Sequence, residues 1–218
     1  MMTRQLQIEV FFDFICPWCL IGKRQLQAAI IQLHQHDPNV DVNLVWRGVQ
    51  LIPDIPVDGV AFKTFYLQRL GSITAVQMRQ EQVRQSAHTV GLEINFDRIQ
   101  RMPNTAKVHH LFERALSVGT AAQCDMLLEQ LFAAYFHHGK NIGDRADLLK
   151  IAAFCGFSGE ALHYILSPLD DAFISANTNG NGVPYFIFDG RLAMAGAQPA
   201  NVLYHAMLEA LATQGQSI

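Results

Sequence analysis

The alternation of apolar and polar positions sets the first element. Residues 6–12 are apolar and β-prone and run into Asp13-Phe14-Ile15-Cys16, which predicts a strand ending just before a C-x-x-C. A helix is expected next. Pro17 suits a first helical position, where its missing N–H costs nothing, and Leu20, Ile21, Leu26, Ala29, Ile30 and Leu33 form an apolar stripe that Asp37-Pro38-Asn39 ends. Val40, Val42, Leu44 and Trp46 then alternate along one face of a second strand. The opening is therefore a β-α-β unit with two cysteines at the start of its helix.

Residues 48–60 carry Pro53, Pro56 and Gly59 and read as a loop, followed by a little over a hundred residues of helical pattern. Asn104 or Thr105 can cap a helix with the stripe Val108, Leu111, Phe112, Ala115 and Leu116, stopped by Gly119. Cys124, Leu127, Leu128, Leu131 and Tyr135 trace the next. Asp144 can cap a third, with Leu148, Leu149, Ala152 and Cys155 inward and Gly156 past its end. The β pattern returns at 183–188, Asp189-Gly190 signals a hairpin, and Pro199 can start a last helix striped by Val202, Leu203, Ala206, Met207, Ala210 and Leu211. This order predicts an α/β protein: a β-α-β part at 1–62, a helical insertion at 63–175 and a β-β-α part at 176–218.

Composition narrows the function. Half of the 218 residues are hydrophobic and 16% are charged, enough to bury a sizeable core and far from a disordered composition. A net charge of −3 offers no footprint for nucleic acid. No stretch reaches the roughly 18 uninterrupted apolar residues of a membrane span, and no export signal is evident, so a soluble cytoplasmic protein is expected.

Four cysteines are too few for a disulfide scaffold. Cys16 and Cys19, at i and i+3 on a first helical turn, share a face and can close a small ring. The helix N-terminus favours the thiolate of Cys16, since thiols so placed have pKa values from roughly 3.5 to 7.5. That makes Cys16 the expected nucleophile and Cys19 the resolving thiol. A zinc site would need further ligands at suitable spacing, and no second C-x-x-C exists. No metal is expected.

Other residues carry less. Adjacent histidines on a helix point apart, so His109-His110 and His137-His138 read as exposed or core-edge residues. Cys124 and Cys155 sit on apolar stripes and read as inert buried thiols. Trp18 is expected to shape the thiol environment and the substrate surface. Lys23 and Arg24 read as a solvated face, and Pro184 as a strand-start proline.

The string from Asp13 through Cys16-Pro17-Trp18-Cys19 to Lys23, with 101–105, 134–136, 182–186 and 196–199 in order, resembles the FrnE-like branch of the DsbA thiol–disulfide oxidoreductases. The resemblance implies a thioredoxin-like fold with a large inserted α-helical domain. It implies Cys16 and Cys19 as the active pair and a cis Pro184 facing them. Pro17, Trp18, Val183 and Pro184 would form the substrate surface, with the Val183 backbone pairing with a bound polypeptide or thiol.

The expected chemistry is disulfide exchange on a protein or small thiol, with no cofactor beyond the redox-active disulfide and glutathione as a candidate co-substrate. A homodimer is a candidate assembly. The alternative is a glutathione-dependent isomerase or transferase, because 2-hydroxychromene-2-carboxylate isomerases and kappa-class glutathione transferases share the architecture. Those relatives typically have Ser where Cys16 stands.

Overall fold

The computed structural model describes residues 4–165 and 172–214; the parts of the expected domains at 1–3, 166–171 and 215–218 lie outside the described residues. In chain order the elements are β1 (Arg4–Phe12), α1 (Pro17–His36), β2 (Val40–Gly48), β3 (Val60–Ala61), α2 (Phe62–Leu70), α3 (Ile73–His88), β4 (Arg101–Met102), α4 (Ala106–Val118), α5 (Ala121–Phe136), α6 (Arg145–Phe154), α7 (Gly159–Ile165), β5 (Tyr185–Phe188), β6 (Leu192–Ala195) and α8 (Ala200–Ala212). They form two compact units, Met1–Val49 with Ser175–Ile218, and Gln50–Ile174.

The first unit is a thioredoxin-like α/β fold. Its four-stranded sheet has the order β2-β1-β5-β6, with β1 parallel to β2 and antiparallel to β5, and β5 antiparallel to β6. The parallel pair needs a crossover, and α1 supplies it. Leu26, Ala29 and Leu33 of α1 and Leu203, Met207 and Leu211 of α8 join Leu6, Ile8, Val10, Phe186 and Phe188 of the sheet in one buried core. Gln25 Oε1 ties the two helices by accepting from Ala200 N at 2.9 Å. The β5–β6 hairpin turns through Asp189 and Gly190, both at positive φ (50° and 68°), where an Asp-Gly pair fits with little strain.

The second unit is mainly helical. Leu111 on α4, Leu127, Leu128 and Leu131 on α5, and Leu148 and Ala152 on α6 are fully buried. Asp144 Oδ1 caps α6 by accepting from Ala146 N at 2.9 Å and Asp147 N at 3.0 Å. Asn104 rather than Thr105 supplies the side-chain acceptor at α4, taking the Ala106 N–H at 2.9 Å. Thr120 and Gln123 make a reciprocal capping box on α5 that the apolar stripe did not announce.

Both boundaries differ from the sequence expectation, the later one only by Ser175, which belongs to the first unit, and the earlier one by the whole stretch 50–62. Residues 50–62 belong to the second unit, because they are bound to the segment before α4. Asn104 accepts from Gln50 Nε2 at 2.8 Å and donates to the Ile55 carbonyl at 2.6 Å. Val60 pairs with Met102, and Phe62 N donates to Gln100 O at 3.0 Å. Gly59, at φ 73°, lets this crossing close, since a Cβ there would lie 2.7 Å from the Met102 carbonyl.

Candidate active site

The site is built where β1 ends. Asp13-Phe14-Ile15 turns the chain, with Cys16 N donating to Asp13 O at 3.1 Å, and Cys16 becomes the N-cap of α1 in extended conformation (φ −89°, ψ 108°). Pro17 takes the first helical position. The Cys16 carbonyl accepts from Cys19 N at 3.0 Å and Leu20 N at 3.4 Å, so both cysteines belong to the first turn. Both are free thiols and buried, Cys16 at 6% and Cys19 at 3% exposure.

The opposite wall comes from the far end of the chain. Because β5 runs antiparallel to β1 with Phe11 opposite Tyr185, the residues just before β5 fall beside the turn that follows β1. Pro184 lacks an N–H, so the strand starts at Tyr185. Its carbonyl still continues the β5–β6 pairing by accepting from Gly196 N at 2.8 Å. The Val183–Pro184 bond is cis. Cys16 Sγ donates to the Val183 carbonyl at 3.7 Å, across 167 residues of sequence. Pro17, Trp18 and Val183 are half-buried and Pro184 is buried. All six residues singled out in the sequence thus fall within one unit, with Cys16 directly against Val183.

The two sulfurs are not equivalent. Burial pushes the Cys19 thiol well above its ordinary value of 9.0, and the hydrogen-bonded Cys16 sulfur and its charge push the same way. A backbone hydrogen bond from Asp13 lowers it, and the Asp13 carboxylate raises it. Cys19 is therefore held as the protonated partner.

Some expectations need correction. Lys23 is not on a solvated face: it is 2% exposed, and Asp13 is fully buried as well. Among the described residues no buried side-chain N or O lacks a hydrogen-bond partner, so these charges are accommodated. His109 is also buried, at 1%, and stacks on Phe173 with ring centroids 4.7 Å apart. Among the described residues no group of three or more His, Cys, Asp or Glu is placed to hold a metal.

Cys124 and Cys155 belong to the second unit. Cys124 Sγ donates to Ala115 O at 3.4 Å, and burial raises both thiols, Cys155 to about 11. Gly22 was missed as a residue of interest beyond its place in the motif; a glycine in a helix interior was the available signal.

A family model described as the DSBA-like thioredoxin domain matches residues 7–208. The chain belongs to that family. As a DSBA-like thioredoxin-fold oxidoreductase with a closely spaced cysteine pair, it is similar to the uncharacterized protein YwbO of Bacillus subtilis (strain 168). The two are 26% identical over 154 residues, 71% of this chain and 68% of that protein. It is also similar to the crystal structure of the probable DsbA oxidoreductase SCO1869 from Streptomyces coelicolor. There the TM-score is 0.83 and the identity 23%, over 98% of this chain and 93% of that one. The cytosolic disulfide reductase DsbM from Pseudomonas aeruginosa, solved with GSH, aligns at a TM-score of 0.59 and 15% identity, over 94% of this chain and 96% of that one.

Proposed function

We propose that this chain is an FrnE-like, cytoplasmic member of the family that exchanges disulfides through Cys16 and Cys19. The Cys16 thiolate attacks a substrate disulfide, forming a Cys16–substrate bond and releasing one substrate thiolate. Cys19, after losing its proton, attacks the Cys16 sulfur and releases the second. The product is the Cys16–Cys19 disulfide, and the dithiol's two electrons are on the substrate. Two equivalents of an external thiol then restore the dithiol, with glutathione the candidate co-substrate. In the reverse direction the disulfide oxidises a substrate dithiol.

The observation that carries this reading is the asymmetry of the pair: Cys16 stands at the N-cap position of α1 with its sulfur on the Val183 carbonyl, while Cys19, in the first turn, is kept protonated by burial. Pro17, Trp18, Val183 and Pro184 are assigned as the substrate surface, on which the Val183 backbone pairs with an extended polypeptide or the backbone of a small thiol. The FrnE-like assignment rests on the motifs around Cys16, Pro103, Tyr135, Pro184 and Pro199. A cytoplasmic location rests on cysteine usage, one pair at redox spacing and two isolated buried thiols. The GSH held by the DsbM structure is the reason to test glutathione.

Insulin reduction and glutathione conjugation, assayed side by side on one preparation, test the proposal. Disulfide reduction that needs Cys19 supports it. Full glutathione-dependent turnover of a small molecule by Cys19→Ala, with no disulfide reduction by the wild type, would replace it with the isomerase or transferase reading. Thiol trapping in intact cells tests the location, which predicts Cys124 and Cys155 reduced.

A further inference from the structure

Gly22 is the sixth residue of α1. Its φ lies outside the left-handed region, so the backbone there does not call for glycine, and glycine is the poorest helix former after proline. The reason lies in space. A Cβ built at Gly22 would stand 3.0 Å from Pro184 Cγ, 3.3 Å from Phe186 Cζ and 3.4 Å from Pro184 Cβ. A proline ring cannot swing away as a flexible side chain can, and Phe186 is fully buried. Nor is β5 free to slide, since Tyr185 and Phe186 are in register with Phe11 and Val10, and Pro184 O is bound to Gly196 N. What gives is the Pro184 ring and the Val183 backbone before it, by a few tenths of an ångström.

We propose that Gly22 is a positioning residue: its bare α-carbon sets the depth at which Val183 and Pro184 rest against α1, and thereby holds the Val183 carbonyl against Cys16. Adding a methyl there displaces the substrate-pairing backbone while leaving the dithiol turn itself intact. This role rests on the exchange reading for its catalytic consequence.

The test compares two reagents on Gly22→Ala: a peptide disulfide, which needs the Val183 backbone, and iodoacetamide, which needs only the Cys16 thiolate. The neighbours must give by a few tenths of an ångström, so the peptide-disulfide rate is expected to fall severalfold, up to about 10-fold, below the roughly 100-fold of a full ångström, with alkylation not slowed, because the Val183 carbonyl that moves is an acceptor only for the protonated Cys16 thiol. A general loss of stability does not alter the ratio of the two rates in folded protein. Gly159→Ala, where a Cβ meets open space, serves as the control and leaves both rates unchanged.

Gly22→Ser adds the same Cβ against the same Pro184 and Phe186 atoms and should reproduce the split between the two rates. Parallel loss of both rates, no loss at all, or failure of both variants to fold, which would make Gly22 a core-packing residue, would overturn the proposal. The Val183 carbonyl ¹³C shift separates the two readings. If the wild type reduces no disulfide, the exchange reading fails; a shift that still moves in Gly22→Ala keeps Gly22 as the residue that seats this corner, and one that stays put removes that role as well.

Discussion

The proton on Cys19 controls how fast a mixed disulfide on Cys16 is cleared. At the ordinary thiol value of 9.0 about one molecule in a hundred carries the thiolate at pH 7, and burial moves Cys19 well above that value, so the fraction is smaller still. Forming the mixed disulfide removes the charge and the hydrogen bond of Cys16, but the largest cause, burial, remains together with the Asp13 carboxylate. Intramolecular attack tolerates this. A tethered nucleophile with an effective molarity of about 10⁵ M or more outcompetes millimolar external thiol even when only a small fraction of it is ionised, because that fraction is multiplied by the effective molarity. The rate of resolution should therefore rise about tenfold per pH unit from about pH 6 to about pH 9 without a plateau, as the thiolate fraction does for any group titrating above that range. Rapid-quench measurement of a preformed Cys16–peptide disulfide reads this directly. Cys19→Ala should clear the same adduct at least about 100-fold more slowly in millimolar thiol, at a rate proportional to thiol concentration. A plateau below pH 8, or a Cys19→Ala rate equal to the wild type, would refute the assignment of Cys19 as a protonated resolving thiol.

Further outcomes are expected elsewhere. Burial keeps Cys155 protonated until about pH 11 in the folded state, while the unfolded thiol ionises near 9.0. The folded chain then holds the extra proton, so this contribution is complete below pH 9 and is lost as the pH rises through 11; urea titrations of wild type and Cys155→Ala should show the flatter decline in the variant. Replacing both Cys124 and Cys155 with Ala should cost stability yet spare insulin reduction, and loss of turnover in a folded double variant would show that these thiols take part. Asp144→Ala removes both cap acceptors of α6 and should cost about 1 kcal/mol in chemical denaturation. Leu203→Ala, in the middle of the core between α8 and the sheet, should cost about 2–5 kcal/mol by the same measurement.

The β-α-β opening, the cysteines at the head of α1, the Asp144 cap, the Asp189-Gly190 hairpin and the stripe of α8 were all legible in the chain. Each rests on a repeat or a cap that spans a few residues, which local sterics and hydrogen bonding decide. The same kind of signal was absent where the structure departed from expectation. β3 and β4 hold two residues each and pair across about forty residues of intervening chain, too short for any alternation to show. Their pairing, with the Asn104 bonds, draws residues 50–62 into the second unit. Lys23 read as a surface residue and His109 as exposed or core-edge because a charge or an imidazole ordinarily keeps some water, and only packing that satisfies their polar atoms lets them be buried. The meeting of Val183 with Cys16, which the family resemblance implied and no periodicity showed, comes from the antiparallel register of β5 against β1, which brings the start of one strand to the end of the other. Gly22 has its meaning in the same register, which presses the Pro184 ring against α1. Periodicity and caps report what a segment does alone, whereas register and close approach depend on which distant surfaces the fold brings together.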